Sequence, residues 1–294
     1  MEDSSKIYVI TGATSGIGYA AAEKLAASGA ALICVGRSPE RCQSACERIK
    51  KQTGNTSIEY IVADLSIQAE VHTLAARIKE VMDVQARSWL DGLVNNAGLF
   101  SYWLTLTPDG IEKTWAVNHL APFLLTHLLL PYLKAAPRAR VVTVSSDSHY
   151  GAHIHWKDPQ LLHSYFGLTA YQTTKLANVL FSLELGKRLA STNVTPFALD
   201  PGLVNTDIAD KGTPAIVKWI WKIRRGSGTS PELPARSIKY LLNDPSIDHS
   251  PSVYWKDCQP KKPSKAALDE QAAARLWLLS EKLCGLKDEG NHAG

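Results

Sequence analysis

The chain has 294 residues, 45% of them hydrophobic and 20% charged, with no low-complexity tract, so a sizeable folded core is expected. Its net charge of +4 is too mild and too scattered to mark a nucleic-acid surface, and no nucleic-acid partner is expected. The five cysteines, Cys34, Cys42, Cys46, Cys258 and Cys284, are odd in number and loosely spaced, which suits a reducing compartment better than a disulfide scaffold.

The opening MEDSSKIYVITGATSG has neither a basic region nor a long apolar run, so no signal peptide is expected. KIYVIT (6–11) reads as a strand, followed by a glycine-rich turn and a helix to about Ser28. AALICVG (30–36) is a second strand, then a helix from Pro39 to about Thr53. Cys42 and Cys46 share a face of that helix, without the further ligands a metal would need; Cys34 reads as a small core residue. SIEYIVAD (57–64) is a third strand before a helix from about Gln68 to Val84, and GLVNNAG (92–98) is a fourth. A long helical region follows, from about Asp109 to Ala135. Its most apolar part, LAPFLLTHLLLPYL (120–133), is too short to span a bilayer and is interrupted by Pro122 and Pro131. RVVTVSS (140–146) is a fifth strand; TPFALDPG (195–202), after a helix over 170–190, is a sixth; SVYW (252–255) is a weak seventh.

Strands alternating with helices predict an α/β fold, a doubly wound parallel Rossmann-type sheet of about seven strands with helices on both faces. Burial on both faces explains why the strands are nearly continuous apolar runs. Without an internal linker or repeat, residues 1–294 read as one domain, with a substrate-lid region at about 203–232 and a loose C-terminal tail. Residues 257–265 also read as loose and polar. The least regular stretches, 146–169 and 203–232, follow strand C-termini, where ligands bind in such sheets.

TGATSGIG (11–18) joins the first strand to the first helix. Gly12 permits a tight turn, Gly16 and Gly18 leave room for a pyrophosphate, and the helix N-terminus offers free N–H groups to phosphates. The second strand ends in Gly36-Arg37-Ser38. An acidic residue there would accept hydrogen bonds from a ribose diol; Arg37 instead pairs with a 2′-phosphate, which predicts NADP(H) over NAD(H).

These motifs, with Asp64-Leu65, NNAG at 95–98, Asn118, the Ser145-Ser146 pair, Tyr171-x-x-x-Lys175 and PGLVNT at 201–206, resemble the short-chain dehydrogenase/reductase family over nearly the whole chain. Arg37, the long Ser-to-Tyr spacing, YQTTKLANVLFSLEL (171–185) and the tail YWKDCQPKKPSKAALDEQAAARLW (254–277) are most similar to its retinol-dehydrogenase-like branch, without the N-terminal anchor of the branch's membrane-bound members. The resemblance implies an oxidoreductase with Asn118, Ser146, Tyr171 and Lys175 as catalytic residues. It implies a cofactor site of Gly12, Thr14, Ser15, Gly16, Ile17, Gly18 and Arg37, with Asp64 and Leu65 near the adenine and Asn95, Ala97 and Gly98 along the cofactor. Tyr171 and Lys175 reach the cofactor too, Pro201, Gly202 and Val204 border the carboxamide, and Thr206 bonds the carboxamide or a phosphate.

A phenol is protonated at neutral pH and can give a proton to a carbonyl oxygen; alcohol oxidation needs the phenolate, which a nearby cation favours. Lys175, one helical turn from Tyr171, is placed to supply that cation. Ser146 would stabilise developing charge on the substrate oxygen, and is chosen over Ser145 because strand alternation turns only one of them to the site. Asn118 would hold a water or a helix kink linking Lys175 to solvent. The rival reading is an NADP(H)-sensing binding protein without catalysis, against which the complete four-residue set argues.

Phe100, Tyr102, Trp103, Trp219 and Trp221 suggest a bulky apolar carbonyl or alcohol, retinoid-, steroid- or lipid-aldehyde-like, with Trp103 equally readable as packing. His149, His153, His155 and His163 read as a loop that shapes the pocket and not as a zinc site, since His153 and His155 would face opposite sides if extended. PAIVKWIWKIRR (214–225) has three readings: a substrate lid, a peripheral membrane contact, or core. The helices over 109–135 and 170–190 could pair two subunits in a homodimer or stay exposed in a monomer. The expected location is cytoplasmic, with any membrane association peripheral.

Overall fold

Alternate residues of the central strands feed two separate cores. In β1 (Ile7–Thr11), Ile7 and Val9 enter one apolar cluster while Tyr8 and Ile10 enter the other. In β2 (Ala31–Gly36), Ile33 and Val35 divide from Leu32 and Cys34 in the same way. In β5 (Ala139–Val144), Val141 divides from Val142. A period-two backbone with apolar side chains at every position must be covered on both faces. Each large aliphatic chain so buried contributes about 1.5–3 kcal/mol.

The computed structural model describes residues 6–203, 230–248 and 250–286. Its sheet has eight strands in the order β3-β2-β1-β4-β5-β6-β7-β8, with β3 (Ile58–Val62), β4 (Gly92–Asn95) and β6 (Val194–Leu199) in parallel register with their neighbours. The weak seventh strand is β7 (Tyr254–Lys256), parallel to β6. The expected loose stretch after it turns back instead as β8 (Gln259–Pro260), antiparallel to β7, which brings the strands among the described residues to eight where about seven were expected.

One face carries α1 (Gly16–Ala26), α2 (Pro39–Thr53) and α7 (Glu232–Asn243), through Leu25, Ile49 and Ile238 among others. The other carries α3 (Gln68–Val84), α5 (Ala121–Ala135), α6 (Gly167–Arg188) and α8 (Glu270–Leu283). Neither α7 nor α8 was among the expected elements. Trp277 of α8 packs edge-on against Phe123 of α5, ring centroids 4.9 Å apart, and stacks on Phe181 of α6 at 6.1 Å. Phe123 of α5 and Phe181 of α6 thus pack on α8 of the same chain.

The long helix begins at α4 (Lys113–Trp115), four residues later than expected, because Glu112 caps it by accepting from the Thr114 and Trp115 amides. Asp109 instead accepts from the Gln68 amide at the start of α3. A π turn, Ala116–Leu120, joins α4 to α5, and Pro131 sits inside α5 without ending it. Lys113–Ala135, 23 residues, is long and apolar enough to cross a membrane by length and composition alone, as core helices also are; 72% of its apolar window is buried inside the fold. The lid and membrane segment 214–225 lies outside the described residues, as do Val204, Thr206, Trp219 and Trp221.

Candidate active site

The glycine turn sits where the expected phosphate cradle should be. Gly12 and Gly16 take positive φ, +67° and +56°, which a side chain would strain. A Cβ on Gly18 would lie 2.4 Å from the Gly12 carbonyl oxygen, so helix and strand touch backbone to backbone there. Ser15 occupies the N-cap of α1 with extended backbone, but its side chain makes no capping bond, and the first turn holds no acidic residue. The first amides of α1 are thus open to an anion. Thr14 and Ile17 are half-buried beside them. Arg37 is exposed just past β2, and Ser38 caps α2 through the Arg41 amide.

The NNAG motif divides its two asparagines. Asn95 is buried, and its amide nitrogen donates to Thr126 Oγ1 at 3.0 Å and Thr143 Oγ1 at 3.5 Å, away from the cradle. Asn96, not singled out from the sequence, fastens the turn: its Nδ2 donates to the Thr11 and Gly12 carbonyls at 2.8 and 3.2 Å. Thr11 Oγ1 in turn accepts from the Asn96 and Ala97 amides, both at 3.0 Å. Gly98 is exposed, with a Cβ position 3.6 Å from Lys175 Nζ. Asp64 and Leu65 follow β3, where Asp64 Oδ1 accepts from Ser66 N and Oγ and fixes that bend. Pro201 and Gly202 are half-buried after β6, Gly202 at φ +71°.

Tyr171 and Lys175 project from the first turns of α6 beside the ends of β4 and β5. They are only 8% and 3% exposed, which disposes of a solvated surface pair. Lys175 Nζ donates to the Val144 carbonyl at 3.1 Å and lies 5.4 Å from the Tyr171 ring centroid. Burial pulls the Lys175 ammonium down to about 8. Burial pushes the Tyr171 phenol well above its usual range; the Ser146 hydroxyl opposes this, and the Asp147 and Asp200 carboxylates add to it. The lysine's expected lowering of the phenol is not among these influences. Desolvation dominates, and the ammonium is turned to a carbonyl.

Ser145 is buried and donates to the Lys175 carbonyl at 2.7 Å, so its hydroxyl anchors α6. Ser146 is half-buried, accepts from the Ser148 amide at 3.2 Å and donates to Asp147 only over a long 3.4 Å. Asn118 sits in the π turn, fully buried. Its Oδ1 accepts from Leu99 N at 2.8 Å, and its Nδ2 donates to Leu99 O at 2.9 Å and Thr174 Oγ1 at 3.1 Å. Asn118 thus ties the π turn to the start of the 99–106 loop and to α6.

The C-terminal segment supplies a brace that the sequence did not announce. Asp200, buried at the end of β6, accepts from Lys261 Nζ at 2.6 Å and from the Gly202 amide at 2.9 Å. An acid placed directly before Pro201-Gly202 was the available signal. Phe100 meets the Tyr171 ring edge-on at 6.1 Å. Trp103 (62% exposed), Leu104, Leu106, Phe166, Leu168 and Leu203 are exposed nearby in sequence to the site residues; Trp103 is therefore not a core packing residue. The rings of His153 and His155 lie 4.3 Å apart, side by side and not on opposite faces.

The short chain dehydrogenase family model matches residues 6–216. The chain is 35% identical to human dehydrogenase/reductase SDR family member 13 over 95% of this chain and 73% of that one. It is 34% identical to human retinol dehydrogenase 14 over 96% and 87%. A crystal structure of an uncharacterised protein from Mycobacterium paratuberculosis superposes with a TM-score of 0.74 at 31% identity, covering 96% of this chain and 94% of that one. A short chain dehydrogenase from Shigella flexneri, complexed with NADP, shares the fold at TM-score 0.68 and 22% identity, covering 88% of this chain and 100% of that one. Glycine turn, sheet order and matched length agree, and the chain belongs to the short-chain dehydrogenase/reductase family of nicotinamide-dependent oxidoreductases.

Proposed function

We propose that the protein transfers a hydride between NADP(H) and a bulky apolar carbonyl or alcohol, with Tyr171 exchanging the proton. The observation that carries this reading is the buried grouping of Tyr171 and Lys175, with Asn118 tied to Thr174 between them and Ser146 acting on the phenol. The glycine cradle fits a nicotinamide dinucleotide because two of its glycines hold positive φ and a third excludes any side chain. Gly12, Thr14, Ser15, Gly16, Ile17 and Gly18 would hold its pyrophosphate, Asp64 and Leu65 would flank the adenine, and Ala97 and Gly98 would line the cofactor, Gly98 beside Lys175. When bound, the nicotinamide supplies or takes the hydride.

The remaining chemistry belongs to this chain. In reduction, Tyr171 Oη gives its proton to the carbonyl oxygen. Ser146 exchanges its long contact with Asp147 for a hydrogen bond to that oxygen while negative charge develops. Lys175, cationic below about pH 8 and turned to the Val144 carbonyl in the free protein, lies 5.4 Å from the Tyr171 ring centroid and would face the phenolate once it forms. Asn118 keeps the π turn pinned to Leu99 and Thr174.

Exposed Arg37 at the end of β2 supports NADP(H), through pairing with a 2′-phosphate. The exposed apolar side chains Trp103, Leu104, Phe166, Leu168 and Leu203, together with relatives named retinol dehydrogenase 14 and retinol dehydrogenase 13 from human, support a retinoid-like aldehyde or alcohol. The test is cofactor consumption with all-trans-retinal and a panel of apolar aldehydes and ketones, using NADPH and NADH in parallel. Turnover with NADPH, and a selective loss of NADPH affinity in Arg37→Asp, are expected. Binding without turnover of any substrate would identify a cofactor sensor, and equal loss of both cofactors in Arg37→Asp would remove the NADP(H) assignment.

A further inference from the structure

His149 is fully buried in the turn Asp147–Gly151, directly behind Ser146. Its Nδ1 lies 2.7 Å from the Ser146 carbonyl oxygen, which its backbone amide also reaches at 3.3 Å. Its Nε2 lies 3.1 Å from the Ser264 backbone nitrogen. A carbonyl oxygen only accepts and a peptide N–H only donates, so the ring proton must sit on Nδ1 and the lone pair on Nε2. One tautomer of the neutral ring satisfies both partners. The imidazolium satisfies only one, because it would aim an N–H at the Ser264 N–H.

We propose that His149 is a positioning residue for the active site: a neutral Nδ1–H clamp that locks the Ser146 turn to the C-terminal segment 261–268 and opens when the ring is protonated. The proposal rests on the reading of Ser146 as a catalytic side chain. The clamped segment is itself firm. Ser264 Oγ accepts from the Ala267 amide at 3.2 Å, and Lys261 reaches Asp200, which fixes Gly202. One imidazole thereby joins the turn carrying Ser146 to the turn that would border the nicotinamide.

The groups facing His149 come from each element packed on it. Its own turn brings Asp147 and Tyr150, whose ring centroid is 4.4 Å away. The end of β6 brings Asp200, and the β7–β8 hairpin brings Tyr254, at 4.9 Å, and Lys261. α6, which packs against the same turn, carries the buried Tyr171 and Lys175. Burial lowers the basicity of the ring below that of a free histidine. The Ser146 bond and Asp200 oppose it, Lys261 adds to it, and Asp147 opposes it weakly. The clamp is therefore closed at neutral pH and opens in acid.

Long-range 1H–15N NMR of the full labelled chain reads the tautomer directly. A protonated Nδ1 and a bare Nε2 are expected at pH 7.5; an Nε2–H form overturns the proposal. Turnover of all-trans-retinal with NADPH is then followed from pH 5 to 8 in wild type, H149N and H149F. Asn can still donate to the Ser146 carbonyl but cannot titrate, whereas Phe does neither. H149N should exceed H149F by about tenfold in kcat, with NADPH affinity similar in both, since misplacing one catalytic group costs on the order of 10–100-fold. H149N should also lack the acid limb of the wild-type profile. An unchanged acid limb in H149N, or wild-type kcat in H149F, overturns the clamp. If H149F does not fold, H149N and the NMR titration decide. If wild type turns over no substrate, the active-site reading fails while the NMR still decides the clamp.

Discussion

Tyr171 and Lys175 move in opposite directions from their solution acidities, and the cause is the same burial. The charged form of each is the costly one in a poorly solvated site, so the phenol rises and the ammonium falls. Lysine therefore titrates first. In the free protein, kcat/KM for carbonyl reduction should fall above about pH 8, and a pH profile flat from 7 to 9 would contradict this assignment. Tyr171→Phe removes the proton donor while leaving the glycine cradle intact. Turnover should drop by about 10²–10⁴-fold with NADPH affinity nearly unchanged, measured by stopped-flow and by fluorescence titration. The four side chains expected to be catalytic were named from motifs of the resembled family, Tyr171-x-x-x-Lys175 above all, and not from local structure. Asn96, Asp200 and Lys261 were not, because their role is to hold backbone, and an asparagine beside another asparagine carries no sign of which one turns inward. The inward one is Asn95, held by Thr126 and Thr143 from distant parts of the chain.

At the scale of elements, strand positions were readable because apolar continuity is a local property. The hairpin β7–β8 was not. Its turn places Asp257 at φ +49° and Cys258 at φ +62°, a conformation whose usual marker is glycine or asparagine. The π turn carries no helix-breaking residue, so only the family resemblance pointed to an irregularity at Asn118, which there bonds to Leu99 and Thr174. α8 has an apolar face whose partner is set only by the tertiary fold. Trp277, wedged between Phe123 and Phe181, also hydrogen-bonds Glu281 at 2.6 Å and lies under Arg188. Trp277→Ala should cost about 3–5 kcal/mol in urea denaturation, as for other large aromatic truncations in cores. If the exposed face pairs copies, ultracentrifugation of that variant should show self-association absent from wild type.

Across the whole molecule, stability should depend on pH through histidines buried in the neutral form. His119 is fully buried against Ser280, and burial brings it down to about 4. Unfolded, it titrates near 6.5. Between those values the unfolded chain binds the extra proton, so stability falls as pH drops from 6.5 toward 4. His149 acts in the same direction. Melting temperature should decline over that interval, and His119→Phe should flatten the decline; an unchanged slope would assign the acid sensitivity elsewhere.

The docking of α8 has a consequence for how the chain is made. Synthesis runs from the N-terminus, and domains begin to organise as they emerge. Strands β1 to β6 and the helix bearing Tyr171 are complete while residues 270–283 are still to be translated. Until those last residues arrive, Phe123 and Phe181 lack the tryptophan that covers them. A nascent chain paused before residue 270 should therefore present a sticky flank to chaperones, and the emergence of residues 270–283 should be the event that closes it.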